Sequence, residues 1–136
     1  MSARPFEKSE FASLTNTPVG GVTQLNAHFV THTYDRHSHD TFCLGVTRTG
    51  VQAFRCHGVE QASLRGNIMA LNPDEPHDGH AGTPEGYSYR MLYVAPAVIR
   101  DWMSEAAGRN VPLQYFRHPV ISDGHVAAQL ERAITA

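Results

Sequence analysis

The chain has 136 residues, 41% of them hydrophobic, which is enough to fill the core of one domain. Only 18% are charged and the formal net charge is -2, so the chain lacks the basic excess with which proteins neutralise nucleic-acid phosphates. It has no apolar run near the roughly 20 residues that span a bilayer, no apolar signal-peptide stretch in residues 1–10, and only two cysteines. We therefore expect a cytoplasmic protein that by itself binds neither DNA nor membrane.

Short β-strands are predicted through the first two thirds of the chain, after a partly ordered N-terminal arm over residues 1–19. Gly20-Gly21 signals a turn, and the following segments alternate apolar with polar residues. The predicted strands cover residues 22–34, 41–49, 51–56, 59–62, 68–71 and 87–94. Thr49-Gly50 is interpreted as a tight turn, so the strands on either side of it are expected to pair in an antiparallel meander.

Two helices are predicted after the strands. Pro96 suits the first turn of a helix over residues 96–107, which Gly108 ends. Asp123 can cap a second helix over residues 123–136. Its apolar residues recur every four positions: Val126, Leu130 and Ile134. Strands followed by helices favour an all-β antiparallel barrel or sandwich with C-terminal helices over a doubly wound sheet.

Histidines in polar loops are candidate metal ligands. His37 and His39 are two residues apart, so an extended backbone points both imidazoles to one side, and the same parity places Cys43 there. His77 follows a rigid loop with two prolines over residues 72–77. We expect the three rings to converge at one end of the barrel interior. Three imidazoles with an open position suit zinc, nickel, copper or iron, and the Cys43 thiolate would complete a tetrahedral zinc set.

These residues also have structural interpretations. The barrel mouth can be polar without a metal, and His77 can hydrogen-bond to the backbone of the loop before it. His57 lies at a turn, so we expect it to be exposed. Tyr87, Tyr89 and Tyr93 could stack on a ring-shaped or sugar-like ligand, although aromatic residues along a strand more often pack in a core.

The turn position also makes a prediction about the cysteines. Cys43 and Cys56 are equidistant from the centre of a Thr49-Gly50 hairpin, so they should face each other across the strands, inside the barrel. Such neighbours approach the spacing of a disulfide, but a reducing cytoplasm should keep them as thiols.

Four segments together resemble the N-terminal domain of AraC-type transcription regulators. They are Arg36-His37-Ser38-His39-Asp40, Leu44-Gly45-Val46 with Gly50, Leu71-Asn72-Pro73-Asp74-Glu75-Pro76-His77-Asp78-Gly79, and Tyr89-Arg90-Met91-Leu92-Tyr93, in the order expected for that domain. The resemblance implies a cupin-like double-stranded β-helix, or jelly-roll barrel, over residues 1–95 that binds a small-molecule effector. It also implies that the helical tail over residues 96–136 begins a dimerisation region. The DNA-binding unit of such regulators, with two helix-turn-helix motifs, is expected to be missing from this chain.

We therefore predict the non-enzymatic sensing domain of a DNA-binding regulator that is a homodimer at full length, paired through the apolar face of its C-terminal helix. As a cofactor we expect at most a divalent metal, zinc or nickel, on His37, His39 and His77. The alternative is a small metal-dependent cupin enzyme, a dioxygenase or isomerase, in which the same histidines hold iron, manganese or nickel. The wider cupin pattern places a carboxylate where this chain has Cys43, which weighs against an oxygenase.

Overall fold

A computed structural model describes residues 9–135, so residues 1–8 of the predicted N-terminal arm lie outside the described residues. The strands are β1 (Phe11–Asn16), β2 (Val22–Phe29), β3 (Tyr34–His37), β4 (Phe42–Gly50), β5 (Gln52–Cys56), β6 (Val59–Ser63), β7 (Asn67–Leu71), β8 (His77–Ala81), β9 (Tyr87–Val94) and β10 (Val120–Ser122). The helices are α1 (Pro96–Ala107) and α2 (Gly124–Thr135). Neither of these helices is long and apolar enough to cross a membrane.

The strands form two antiparallel sheets that enclose the main core. The larger sheet has the order β1-β2-β9-β4-β7-β10 and the smaller has the order β3-β8-β5-β6. Side chains from both sheets meet in one buried cluster, including Phe29 of β2, Phe54 of β5 and Tyr89 of β9. The predicted antiparallel barrel with C-terminal helices is confirmed.

The predicted meander is wrong at its first hairpin. β4 pairs with β9 and β7, whereas β5 pairs with β6 and β8 in the other sheet. Thr49-Gly50 is therefore the point where the chain crosses between sheets. Gly50 has φ 71° and lies against the backbone of Gly86, where a side chain has no room. Alternation along a strand predicts its two faces, but it does not specify its partners.

The strand predicted over residues 22–34 ends at Phe29, and β3, which begins at Tyr34 in the other sheet, runs through residues predicted as a loop. One carboxylate oxygen of Glu10 holds the bend between β2 and β3. It accepts the backbone N–H groups of Val30, Thr31 and His32 at 2.6, 3.0 and 2.9 Å. This bend carries the chain into the smaller sheet, where β3 delivers His37 to the barrel interior. The strands β1, β8 and β10 were not predicted.

The cysteine prediction is also wrong, for the same reason. Cys43 lies opposite Leu71 and Tyr93, whereas Cys56 lies opposite Val59 and His77. The two residues are not cross-strand neighbours, because their strands belong to different sheets. Both are buried with free thiols in the core between the sheets.

The two helices pack on the outer face of the larger sheet. α1 covers Val22, Phe42 and Val94 through Ile99, and it ends as predicted at Gly108 in the left-handed conformation. α2 is capped as predicted by Asp123, whose carboxylate accepts the N–H of Val126 at 3.1 Å.

The apolar face of α2 packs mainly against the domain itself. Ala127 and Ile134 are buried on Val46 and Ile68, with Leu130 beside them. Val126 remains 43% exposed. Packing on the sheet therefore explains most of the helical pattern that suggested a dimer, and dimerisation stays a prediction.

Candidate metal and effector site

Three histidines meet at one end of the barrel interior. His37 is the last residue of β3 and lies opposite His77, the first residue of β8, while His39 lies in the connection to β4. The ring centroids are separated by 4.5 Å for His37 and His77, 4.8 Å for His37 and His39, and 5.5 Å for His39 and His77. One nitrogen from each ring lies within 4.8 Å of the other two. A small shift of the rings would place all three around one ion.

Backbone hydrogen bonds orient two of these rings. Nδ1 of His37 lies 2.6 Å from the carbonyl oxygen of Asp35, and Nδ1 of His77 lies 3.0 Å from that of Glu75. A carbonyl only accepts, so each Nδ1 must carry the proton, and Nε2 keeps its lone pair in the neutral ring. A second hydrogen bond of this kind is the usual support of a metal-binding histidine. For His77 the loop-capping role and a ligand role are therefore compatible.

The surroundings favour the neutral rings that a metal requires. Burial, with the neighbouring His37 and His77, lowers the pKa of His39 to about 4. Burial also lowers the pKa of His77, although the backbone bond to Glu75 opposes this shift. Neither ring needs to lose a proton before binding a metal near neutral pH.

The predicted fourth ligand is placed less favourably. Cys43 lines the same cavity, but its sulfur is not among the donor atoms that lie within 4.8 Å of one another. Burial is the main cause that raises the pKa of its thiol to about 12, so the sulfur stays protonated. The structure therefore groups the three histidines and leaves Cys43 in the cavity wall.

The histidines open into a cavity of about 60 Å³ between the sheets. Tyr87, Tyr89 and Tyr93 all line it, and the rings of Tyr87 and Tyr89 stack with centroids 5.4 Å apart. Burial raises the pKa of each of the three phenols, so they are neutral hydrogen-bonding groups. The cavity thus joins three imidazoles to a wall of aromatic rings and hydroxyls.

Sequence reasoning missed several residues of this wall, among them Tyr34, Gln52, Met69 and Met91. The position of Met91 could have been predicted from the sequence, because Met91 shares the inward parity of the three tyrosines on β9. The position of Tyr34 could not, because no pattern in the sequence indicates the bend before it. His57 is exposed as predicted, but it also pairs with Glu75, its Nε2 lying 2.6 Å from the carboxylate.

The profile of the AraC-like ligand binding domain matches residues 19–136. This chain belongs to that family. The match covers most of the sequence, including both sheets apart from β1, the histidine cluster and the two helices. No curated protein sequence matches the domain at a significant level.

Solved structures with a similar fold include both regulators and cupins. The AraC-like transcriptional activator CuxR superposes with a TM-score of 0.64 at 18% identity, over 93% of this chain and 45% of CuxR. A cupin superfamily protein from Desulfitobacterium hafniense has a TM-score of 0.57 at 8% identity, over 70% of this chain and 84% of its own. Oxalate decarboxylase of Bacillus subtilis, described with Mn(II) centres, has a TM-score of 0.57 at 12% identity, over 87% and 39%. At these identities the likeness establishes the cupin-like fold of this AraC-like domain.

Proposed function

We propose that this domain is the effector-sensing part of an AraC-type transcription regulator, and that it binds a small molecule in the cavity between its sheets. The observation that carries the proposal is the match of residues 19–136 to the AraC-like ligand binding domain. The inward ring of imidazoles, phenols and Gln52 supports it, since a ligand site needs a few convergent polar groups in an apolar wall. In this proposal the full-length regulator is a cytoplasmic homodimer, and a further unit of it contacts the DNA.

The size of the cavity restricts how the effector binds. At about 60 Å³ it is far smaller than the about 300–1,000 Å³ of a pocket for a drug-sized ligand. An ion with one or two water-sized groups fits the closed barrel, whereas a sugar-sized effector requires the sheets to separate. The proposal therefore includes an open state with higher affinity for the effector, because only differential affinity shifts a conformational equilibrium.

The strand β4 connects the cavity with both helices. Its inward side chain Cys43 lines the cavity, and its outward neighbours Phe42 and Val46 lie beneath α1 and α2. A displacement of β4 by a ligand would change how both helices pack on the larger sheet. In a full-length regulator this displacement is the signal passed to the dimer contacts and to the DNA-binding unit.

A divalent ion, zinc or nickel, on His37, His39 and His77 is the second part of the proposal. Three neutral imidazoles bring no charge, so the bound ion would leave a net positive centre in the cavity. An effector with a carboxylate or another anionic oxygen would then complete the coordination, while the tyrosine hydroxyls orient it.

The test is thermal unfolding of the chain with zinc, with nickel and with a chelator, each against a panel of small carboxylic acids and sugars. A ligand at 100 times its Kd stabilises by about 2.7 kcal/mol, which raises the Tm by several degrees at this size. His77→Gln should remove the metal-dependent part, and Tyr89→Phe should weaken the effector response. His118→Gln and Tyr115→Phe, both at exposed positions outside the cavity, are the matched controls. Stabilisation that survives both cavity variants undiminished would place the ligand elsewhere.

A small metal-dependent cupin enzyme, of dioxygenase or isomerase type, remains the second candidate. The cluster of three imidazoles facing a cavity favours it, as does the similarity in fold to the manganese enzyme oxalate decarboxylase. Turnover of a stabilising ligand by the iron-, manganese- or nickel-loaded chain would support the enzyme. Saturable stabilisation without turnover would support the sensor.

A further inference from the structure

A second set of metal-ligating side chains lies outside the cavity, at the turn between β5 and β6. Cys56 is the last residue of β5, His57 follows it in the turn, and Glu75 belongs to the loop before β8. The Cys56 sulfur, one His57 ring nitrogen and one Glu75 carboxylate oxygen all lie within 4.8 Å of one another. We propose that these three residues form a site for a zinc-like ion, separate from the histidine cluster.

The donor set has the chemistry of zinc. A thiolate, an imidazole and a carboxylate are its three common protein ligands, and the sulfur disfavours magnesium and calcium. Tetrahedral coordination at ordinary zinc distances spaces the donor atoms about 3.3–3.7 Å apart. The three donors therefore need to move by about an ångström or less. Solvent supplies the fourth ligand, since the His57 side chain is 66% exposed.

The carboxylate is already held in place. Glu75 Oε1 accepts the backbone N–H of Asn72 at 3.1 Å, and the Glu75 side chain is only 12% exposed. Its Oε2 lies 2.6 Å from Nε2 of His57. An ion would replace this pairing by entering between the two groups, as the exposed imidazole moves aside. Nε2 then gives up the proton that it shares with the carboxylate, and Nδ1 carries the proton of the neutral ring.

The backbone of the turn adds an independent observation. His57 has φ 54° and Gly58 has φ 73°, the pair of positive angles typical of a two-residue hairpin turn. Histidine, like asparagine and aspartate, is one of the few residues other than glycine that adopt the first of these positions readily. The turn directs the His57 imidazole to Glu75, with Nε2 2.6 Å from the carboxylate.

The two sites share a loop without sharing a ligand. The backbone carbonyl of Glu75 orients the His77 ring toward the cavity, whereas its carboxylate faces Cys56 and His57. An ion at the turn would tie β5 and β6 to the loop that positions His77. Burial, with the negative Glu75 beside it, raises the pKa of the Cys56 thiol to about 11, so binding displaces the thiol proton, which passes to solvent.

The test is titration of the chain with Co²⁺ as a spectroscopic substitute for zinc. A thiolate ligand produces a sulfur-to-cobalt charge-transfer band that histidine ligands cannot produce. We expect this band in the wild-type chain, in Cys43→Ala and in His39→Gln, and its loss in Cys56→Ala. Its persistence in His39→Gln separates this site from the histidine cluster and from the proposed function.

The second variant is His57→Asn, which keeps a residue that tolerates positive φ and removes only the imidazole. It should fold as well as the wild type and weaken Co²⁺ binding at the thiolate site. Loss of a residue that only supports a ligand weakens metal binding by about 10- to 100-fold, and loss of the ligand itself should weaken it at least as much. Glu75→Gln should weaken it in the same direction. A wild-type chain without the band at saturating Co²⁺, a band retained by Cys56→Ala, or unchanged affinity in His57→Asn would overturn the proposal.

Discussion

Replacing Glu10 with alanine tests how the chain passes from one sheet to the other. The Glu10 side chain is buried, and one of its carboxylate oxygens accepts three consecutive backbone N–H groups of residues 30–32 at 2.6–3.0 Å. These residues form the bend between β2 and β3. Glu10→Ala removes the acceptor and leaves the three donors to find other partners.

The size of the effect follows from the burial of these donors. His32 is buried, so its orphaned N–H costs about 1–3 kcal/mol. Val30 and Thr31 are half-buried, so water can partly replace the carboxylate there. The three bonds share one oxygen, so their contributions do not add in full. We expect a total loss of about 3 kcal/mol in the free energy of unfolding, or a fall of about 10 °C in Tm.

Urea unfolding followed by circular dichroism measures this loss. Glu10→Gln keeps one carbonyl acceptor without the charge, so it should lose about half as much. Ser13→Ala, at an exposed position of β1, should change stability by less than about 0.5 kcal/mol. If Glu10→Ala stays within 1 kcal/mol of the wild type, roughly the worth of a single bond, the carboxylate does not hold the bend.

Three further outcomes are expected. In metal-free protein the free energy of unfolding should fall as the pH drops from about 6.5 to 4. Burial and two neighbouring histidines lower the pKa of His39 to about 4, so the unfolded chain takes up the proton first. Urea unfolding at several pH values should show a shallower fall in His39→Gln, and equal slopes in the two proteins would contradict this. Ile134→Ala should lower the free energy of unfolding by about 2–4 kcal/mol, because it opens the contact between α2 and the larger sheet. Val126 is half-exposed on the same helix, so Val126→Ala should lower it much less. Similar losses in chemical denaturation would show that α2 does not pack as described. Gly45→Ala should lower the free energy of unfolding by about 1–3 kcal/mol and disturb the cavity, because a Cβ there would lie 2.8 Å from the sulfur of the facing methionine. In Gly20→Ala the added Cβ meets open space, so the Tm of this control should be higher than that of Gly45→Ala. Equal Tm values would refute the clash.

Sequence patterns correctly predicted those features that depend only on a few adjacent residues. The ends of α1 follow from Pro96 and Gly108, and the start of α2 follows from Asp123, because capping depends only on adjacent residues. Alternation along β4 correctly separated inward Cys43 from outward Phe42. The resemblance to the AraC-type domain, carried by four segments in order, identified the family that the profile match establishes.

The candidate site was predictable in its members and not in its geometry. The spacing of His37 and His39 and the rigid loop before His77 indicated three converging imidazoles. Their tautomers depend on the carbonyls of Asp35 and Glu75, whose directions are set by the folded loops. The cluster of Cys56, His57 and Glu75 left no signal in the sequence, because Glu75 reaches it from a separate loop.

The sequence by itself determined which face of β4 is apolar, where the helices begin and which family the chain resembles, because periodicity, caps and motif order are read within a few residues. Only the tertiary structure decided which strands are neighbours. β4 pairs with β9, more than thirty residues later, and turns away from β5, with which it is contiguous. The reason is that from β2 to β9 the chain changes sheet at every connection except the hairpin between β5 and β6. Strand partners are therefore chosen by closing the barrel around a shared core, and that choice also brings His77 to His37 and Glu75 to Cys56.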